Sequence, residues 1–151
     1  MTKTQIIDFL YKVICTEERQ IIPIVKFSSD MHVDCPCETK KFFSKDKNNT
    51  DIFCIIKVNR KWFMNSRNDI ELKGCLLHEV GHCFFKDKSK YKNELFAHLW
   101  AIDKAETMRL KKVRQELIAM IMNWGDFEWG DYNMRRYILA SNKFKEIING
   151  K

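Results

Sequence analysis

The sequence predicts an α+β fold, a single domain spanning residues 1–151. Its expected core is a small, mostly antiparallel sheet packed on a helix that carries two histidines, with further helices C-terminal to it. Three observations predict this. Helix-period apolar residues open the chain, β-branched runs follow between residues 21 and 58, and all later apolar periodicity is helical. Strands gathered ahead of helices mark segregated α+β packing, not alternating units on a parallel sheet. With 151 residues, 45% hydrophobic and 31% charged, the chain is long enough for one proper core and has the composition of an ordinary globule.

Residues 4–17 read as an amphipathic helix, with Ile6, Ile7, Leu10, Val13 and Ile14 at helical spacing. Ile21 to Phe27 is a short β-branched run around Pro23, which suits an edge strand because proline lacks an N–H. Residues 28–50 are polar and irregular and read as a loop, with a turn at Lys45 to Thr50. Ile52 to Val58 is a second strand, and Asn59 to Arg67 turns back as a short third through Trp62 and Phe63. Asn68 or Asp69 caps the next helix, which is expected to run to about Phe85. Residues 92–122 form a long helical stretch, with Trp100, Met108, Leu110, Val113, Leu117, Ile118 and Ile121 as a core stripe. A last helix covers 131–149, after an aromatic loop containing Trp124, Phe127, Trp129 and Tyr132.

The stretch His78-Glu79-Val80-Gly81-His82 carries the clearest chemistry. Helical positions four apart lie on one face. His78 and His82 therefore aim two imidazoles at one metal ion. Glu79 lies about 100° round the helix from His78, where a base must sit to take a proton from a metal-bound water. Only four histidines occur in the chain, and two fill this motif. Leu76, Leu77, Val80, Phe84 and Phe85 flank it with apolar bulk, as a buried helix requires. With histidine and carboxylate ligands, Zn²⁺ is the default metal.

Catalytic zinc usually takes three protein ligands and a water. Glu94, twelve residues beyond His82, opens the run Glu94-Leu95-Phe96-Ala97-His98. A chain reversal over Lys86 to Tyr91 lays this helix on the first and brings Glu94 to the metal. Small Ala97 allows close approach. His98, one turn on, is expected beside Glu94, bonded to a ligand histidine or holding a substrate carbonyl. Two alternatives remain open: His98 as third ligand with Glu94 behind it, or an exposed pair with no role. Asp103 and Glu106 read as solvent-facing charges. Tyr91, Tyr132 and His98 are the candidate oxyanion donors.

HEVGH followed by ELFAHLWA resembles the gluzincin pattern, in which a glutamate on a later helix completes HExxH. Within that group the chain is most similar to the small ImmA/IrrE-type metallopeptidase domains, through the strand DIFCIIKVN, the helix IELKGCLLHEVGHCFF and the helix start NELFAHLWA. The resemblance spans about Asp51 to Ala105. It departs at His98, where such domains often carry Asn or Asp, and in the short His82–Glu94 spacing. It implies a zincin-like fold and a cytoplasmic zinc-dependent endopeptidase cleaving a protein or peptide substrate, often a regulatory protein. His78, His82 and Glu94 would bind Zn²⁺ and Glu79 would be the base. The rival expectation is a non-enzymatic phage- or plasmid-type binding protein that keeps the fold.

The net charge of +7 leaves nucleic acid open as a partner without favouring it, because the lysines are spread and only Lys86 to Lys92 is dense. No apolar run is long enough for a membrane span. The opening MTKTQIIDFLYK lacks the marks of a secretory signal, so the six cysteines are expected as reduced thiols in a cytoplasm. Cys54, Cys75 and Cys83 read as core thiols. Cys35 and Cys37, near His32 and Asp34, read as a loop pair with a minor chance of a second metal or of a thiolate plug on the first. Peptide substrate is expected to add as a strand along Asp51–Asn59.

Overall fold

The computed structural model describes residues 1–15, 21–31, 37–43, 52–61, 69–123 and 132–150. The elements run α1 (Lys3–Cys15), β1 (Ile21–Ser28), β2 (Cys37–Phe43), β3 (Ile52–Asn59), α2 (Asp69–Gly81), α3 (Lys90–Thr107), α4 (Lys111–Met122), α5 (Tyr132–Ala140) and α6 (Asn142–Ile148). The α+β class expected from the sequence is what forms.

α1 begins with a reciprocal cap. The Thr2 hydroxyl accepts from the Gln5 backbone N–H at 3.1 Å, and the Gln5 side chain accepts from the Thr2 N–H at 2.8 Å. Two otherwise orphaned donors are satisfied at once. Ile6, Leu10, Val13 and Ile14 then face the core. The N-terminal ammonium reaches Asp69 at 2.8 Å, tying the start of α1 to the start of α2.

Among the described residues the sheet has three strands in the order β1-β3-β2. β1 pairs parallel with β3, and β2 pairs antiparallel with it. The sheet is therefore mixed, not mostly antiparallel. Two further expectations are corrected. Residues 37–43 are a strand where a loop is expected. β3 is central, flanked on both sides, so Ile52–Asn59, the described part of the expected substrate strand, offers no free edge. Among the described residues β1 is an edge, in agreement with Pro23.

Cys54, Ile56 and Val58 on β3 are fully buried, as alternation requires of one covered face. α1 and α2 supply that cover through Leu10, Leu72, Leu76 and Val80. Cross-strand neighbours share a face, so Cys37 opposite Val58 and Thr39 opposite Ile56 also point toward α2. Cys54 and Cys83 are joined as a disulfide, with Cα atoms 6.2 Å apart, where thiols are expected. β3 passes beneath the end of α2, a meeting that a separation of 29 residues does not announce. Cys37 is buried and Cys75 half-buried.

The long helical stretch breaks in two at Arg109, whose φ of 58° is left-handed. Leu110 N–H donates to Ala105 O at 2.8 Å, the six-residue closure of a Schellman cap. The last helix likewise divides at Ser141, an extended N-cap with ψ of 131°. No described helix is long and apolar enough to cross a membrane. The expected strand through Trp62 and Phe63, the loop residues His32, Asp34 and Cys35, the aromatics Trp124, Phe127 and Trp129, and the Tyr132 side chain lie outside the described residues.

Candidate metal centre

α2 ends at Gly81, four residues short of the expected Phe85, so His82 sits in the turn that follows. His82 N–H still donates to His78 O at 3.3 Å, which keeps the helical offset between the two rings. Their Nε2 atoms are 3.1 Å apart. α3 starts at the cap Ser89, whose hydroxyl accepts from Lys92 N–H at 3.3 Å. It runs back along α2 and delivers Glu94.

Each Glu94 oxygen meets one histidine. Oε2 lies 2.9 Å from His78 Nε2, and Oε1 lies 3.2 Å from His82 Nε2. Ligand atoms about 2.0–2.1 Å from a tetrahedral zinc stand about 3.3–3.4 Å from one another. The observed contacts of 2.9, 3.1 and 3.2 Å, which use both oxygens of Glu94, are each shorter than that spacing. The side chains remain 17%, 20% and 24% exposed, which leaves one side of the triangle open to solvent. Two imidazoles, one carboxylate and an open position form a donor set suited to a catalytic zinc.

Glu79 also lies close. Ligand-capable atoms of His78, Glu79 and His82 fall within 4.8 Å of one another. Glu94 makes the shorter approaches, and Glu79 is held elsewhere: the Thr39 hydroxyl donates to Glu79 Oε2 and stands 3.1 Å from its backbone oxygen. His78 and His82 thus have two carboxylates within reach, Glu94 by the shorter contacts and Glu79 within the group of close ligand-capable atoms. Thr39 is a site residue that the sequence reading missed. It lies on β2, in the stretch read as loop.

The close packing of α2 on α3 depends on Gly81. A Cβ there would sit 2.8 Å from Ala97 O and 2.9 Å from Ala97 Cα. Ala97 follows Glu94 by nearly one turn, so this contact sets how far Glu94 reaches toward the histidines.

Burial pushes the Glu79 carboxyl above its ordinary value, against the pull of His78, His82 and Thr39. Burial alone would raise Glu94 too, but its bonds to His78 and His82 win and hold it well below the carboxylate range. For His78, burial favours the neutral ring, yet the bond and charge of Glu94 with the charge of Glu79 carry it above the usual imidazole value.

His98 is not brought into the cleft. It is 3% exposed, and its Nε2 lies 2.7 Å from Leu117 O on α4. Its ring stands edge-on to His78, centroids 5.6 Å apart. A ring placed there neither ligates the ion nor meets a substrate carbonyl, so the catalytic role expected of His98 is corrected to packing behind His78. Tyr91 likewise stacks on Tyr137, with centroids 5.5 Å apart. Asp103 and Glu106 are exposed on α3, as expected.

Burial, then the nearby His78, lowers His98 from 6.5 to about 3. Unfolded, it would take a proton near pH 6.5; folded, it stays neutral until about pH 3. The unfolded state thus binds more protons across that window, and stability falls as pH is lowered through it. Between pH 7 and pH 5 the cost is about 2 kcal/mol. His98→Gln keeps a donor for Leu117 O without the titration. Urea unfolding at pH 7 and pH 5 is expected to show an acid loss smaller by about that amount. An equal loss in both proteins would remove His98 from the account.

A cleft of about 550 Å³ opens over the triangle, lined by Cys37, Glu38, Thr39, Glu79, His82, Phe85, Lys86, Lys88, Lys90, Asn93 and Glu94. One wall is β2; the other is the segment joining α2 to α3. Comparison with protein-family models, with curated proteins and with solved structures gives no match.

Proposed function

We propose that this chain is a zinc-dependent endopeptidase with His78, His82 and Glu94 as ligands and Glu79 as general base. One observation carries the reading. Both oxygens of Glu94 converge on the Nε2 atoms of His78 and His82, and Glu94, His82 and Glu79 line one open cleft. A structural site needs no base in that position and no cleft above it.

Zn²⁺ held by His78, His82 and Glu94 would supply Lewis acidity toward a carbonyl and lower the pKa of a water. Glu79 takes the proton from the attacking water and returns it to the departing amine. A carboxyl lifted above its ordinary pKa by burial is suited to both steps near neutral pH. Thr39 orients that carboxylate from the strand side. Apolar Phe85 helps to limit water at the cleft. Among the described residues, β2 has a strand partner on one side only. Its free edge, beside Glu79, replaces β3 as the place where an extended peptide adds its backbone.

The test is metal content by elemental mass spectrometry after zinc loading and removal of excess. One zinc per chain is expected for the wild type and for His98→Ala. Glu94→Ala is expected to lose more than about a hundredfold in affinity, beyond what outer groups usually cost. Affinity is also expected to fall on acidification, beginning above pH 6.5 because Glu94 and Glu79 hold a proton on His78. A wild type that retains no zinc would sink the reading.

A further inference from the structure

The segment joining α2 to α3 places three lysines, Lys86, Lys88 and Lys90, on the wall of the cleft facing β2. All three are exposed, and among the described residues none forms an ion pair. The segment is braced. Asp87 N–H donates to the Asn93 side chain at 2.7 Å, and Asn93 Nδ2 returns a bond to Asp87 O at 2.9 Å. The Asp87 carboxylate accepts from Ser89 N–H at 2.8 Å and does not line the cleft. The lysine stems therefore start from fixed positions.

The other charges around the cleft are answered. Glu38 pairs across the strands with Lys57 at 3.2 Å. Glu94 is engaged by both histidines, and Glu79 by Thr39 beside those same rings. Among the described residues that line the cleft, the remaining unanswered charge is the lysine wall. A chain lying between β2 and this wall meets ammonium groups on the side away from the strand.

We infer that the Lys86–Lys88–Lys90 wall selects polypeptides carrying aspartate or glutamate side chains close to the bond placed over the metal centre. The inference rests on the peptidase reading for cleavage of that bond, but not for the binding preference itself.

Two measurements separate the ideas. In the first, zinc-loaded protein is incubated with a randomised decapeptide library and cleavage sites are read by mass spectrometry. Acidic residues are expected within a few positions of the cut. The triple variant Lys86→Glu/Lys88→Glu/Lys90→Glu is expected to exchange them for basic ones. A triple variant at Lys111, Lys112 and Lys145, exposed and away from the cleft lining, controls for overall charge and is expected to keep the acidic preference. Cleavage without acidic enrichment overturns the inference and leaves the peptidase reading intact.

In the second, a fluorescent decapeptide with four glutamates is compared with its glutamine counterpart by anisotropy, independently of turnover. The acidic peptide is expected to bind roughly tenfold tighter, the scale of a few screened surface pairs. That margin is expected to vanish in the cleft triple variant and persist in the control. A preference seen here without any cleavage supports the wall and counts against the peptidase. Equal binding of the two peptides overturns the wall. A ten-nucleotide thymidine strand that displaces the peptide and depends on the same three lysines also overturns it, by giving the wall to nucleic acid.

Discussion

Gly81→Ala is expected to destabilise the protein by about 3 kcal/mol, the upper part of the range for overpacking, whereas Gly74→Ala in the same helix is expected to stabilise it. Helix propensity alone predicts a gain approaching 1 kcal/mol at Gly74, inside the helix, and a smaller gain at Gly81, its last residue, so a loss at Gly81 reports the surroundings. At Gly74 a new Cβ meets Met120 Cε at 3.4 Å and Leu117 Cδ2 at 3.5 Å, ordinary contact with side chains that can adjust. At Gly81 it meets the Ala97 backbone at 2.8–2.9 Å, and backbone inside a helix cannot step aside alone. The two helices must separate, and Glu94 moves away from His78 and His82 with α3. Thermal unfolding is expected to fall by roughly 6–12 °C for a domain of this size, together with a loss of zinc affinity. A stable Gly81→Ala protein that binds zinc normally would show that the close approach is dispensable.

What the sequence revealed was whatever depended on one element at a time. His78 and His82 share a face because four residues make a turn, and that is visible without knowing the fold. Glu94 needed one further assumption, a reversal between Lys86 and Tyr91, and the structure makes it there. β2 escaped notice for a physical reason. Its sequence, CETKKFF, alternates poorly because the inward position between Cys37 and the next turn of the pleat is Thr39, a polar residue turned toward Glu79. A strand that serves a site gives up the apolar pattern by which strands are recognised. The position of β3 in the middle of the sheet is a property of strand order, which no single segment encodes. His98 shares a face with Glu94 along α3, yet α4 packs against both α2 and α3. One turn carries its side chain from the cleft floor to the Leu117 carbonyl. The break at Arg109 has the bonding of a Schellman cap without the glycine that usually marks it.

Glu79→Gln is expected to lower peptide cleavage by roughly 10²–10⁴-fold, the span associated with a general base, while zinc content stays at one per chain. The glutamine keeps the size of the side chain and an oxygen for the Thr39 hydroxyl, so the ligand triangle has no cause to move. Stability should change in the opposite sense to activity. Burial raises the folded pKa of Glu79 above 4.5, so between 4.5 and the folded value the native state binds more protons than the unfolded one. Native stability therefore declines as pH rises through that window. Above it, the metal-free protein holds a buried carboxylate at a cost that the neutral amide does not incur. Metal-free Glu79→Gln is accordingly expected to melt at or above the wild-type temperature at pH 7, with the advantage fading as pH falls toward 4.5. Differential scanning calorimetry of both metal-free proteins at pH 7 and pH 5, beside turnover of a decapeptide library, checks both halves. If the variant loses zinc along with activity, Glu79 belongs to the ligand set and the assignment of the base is wrong. If it keeps zinc and turnover alike, Glu79 is not the base.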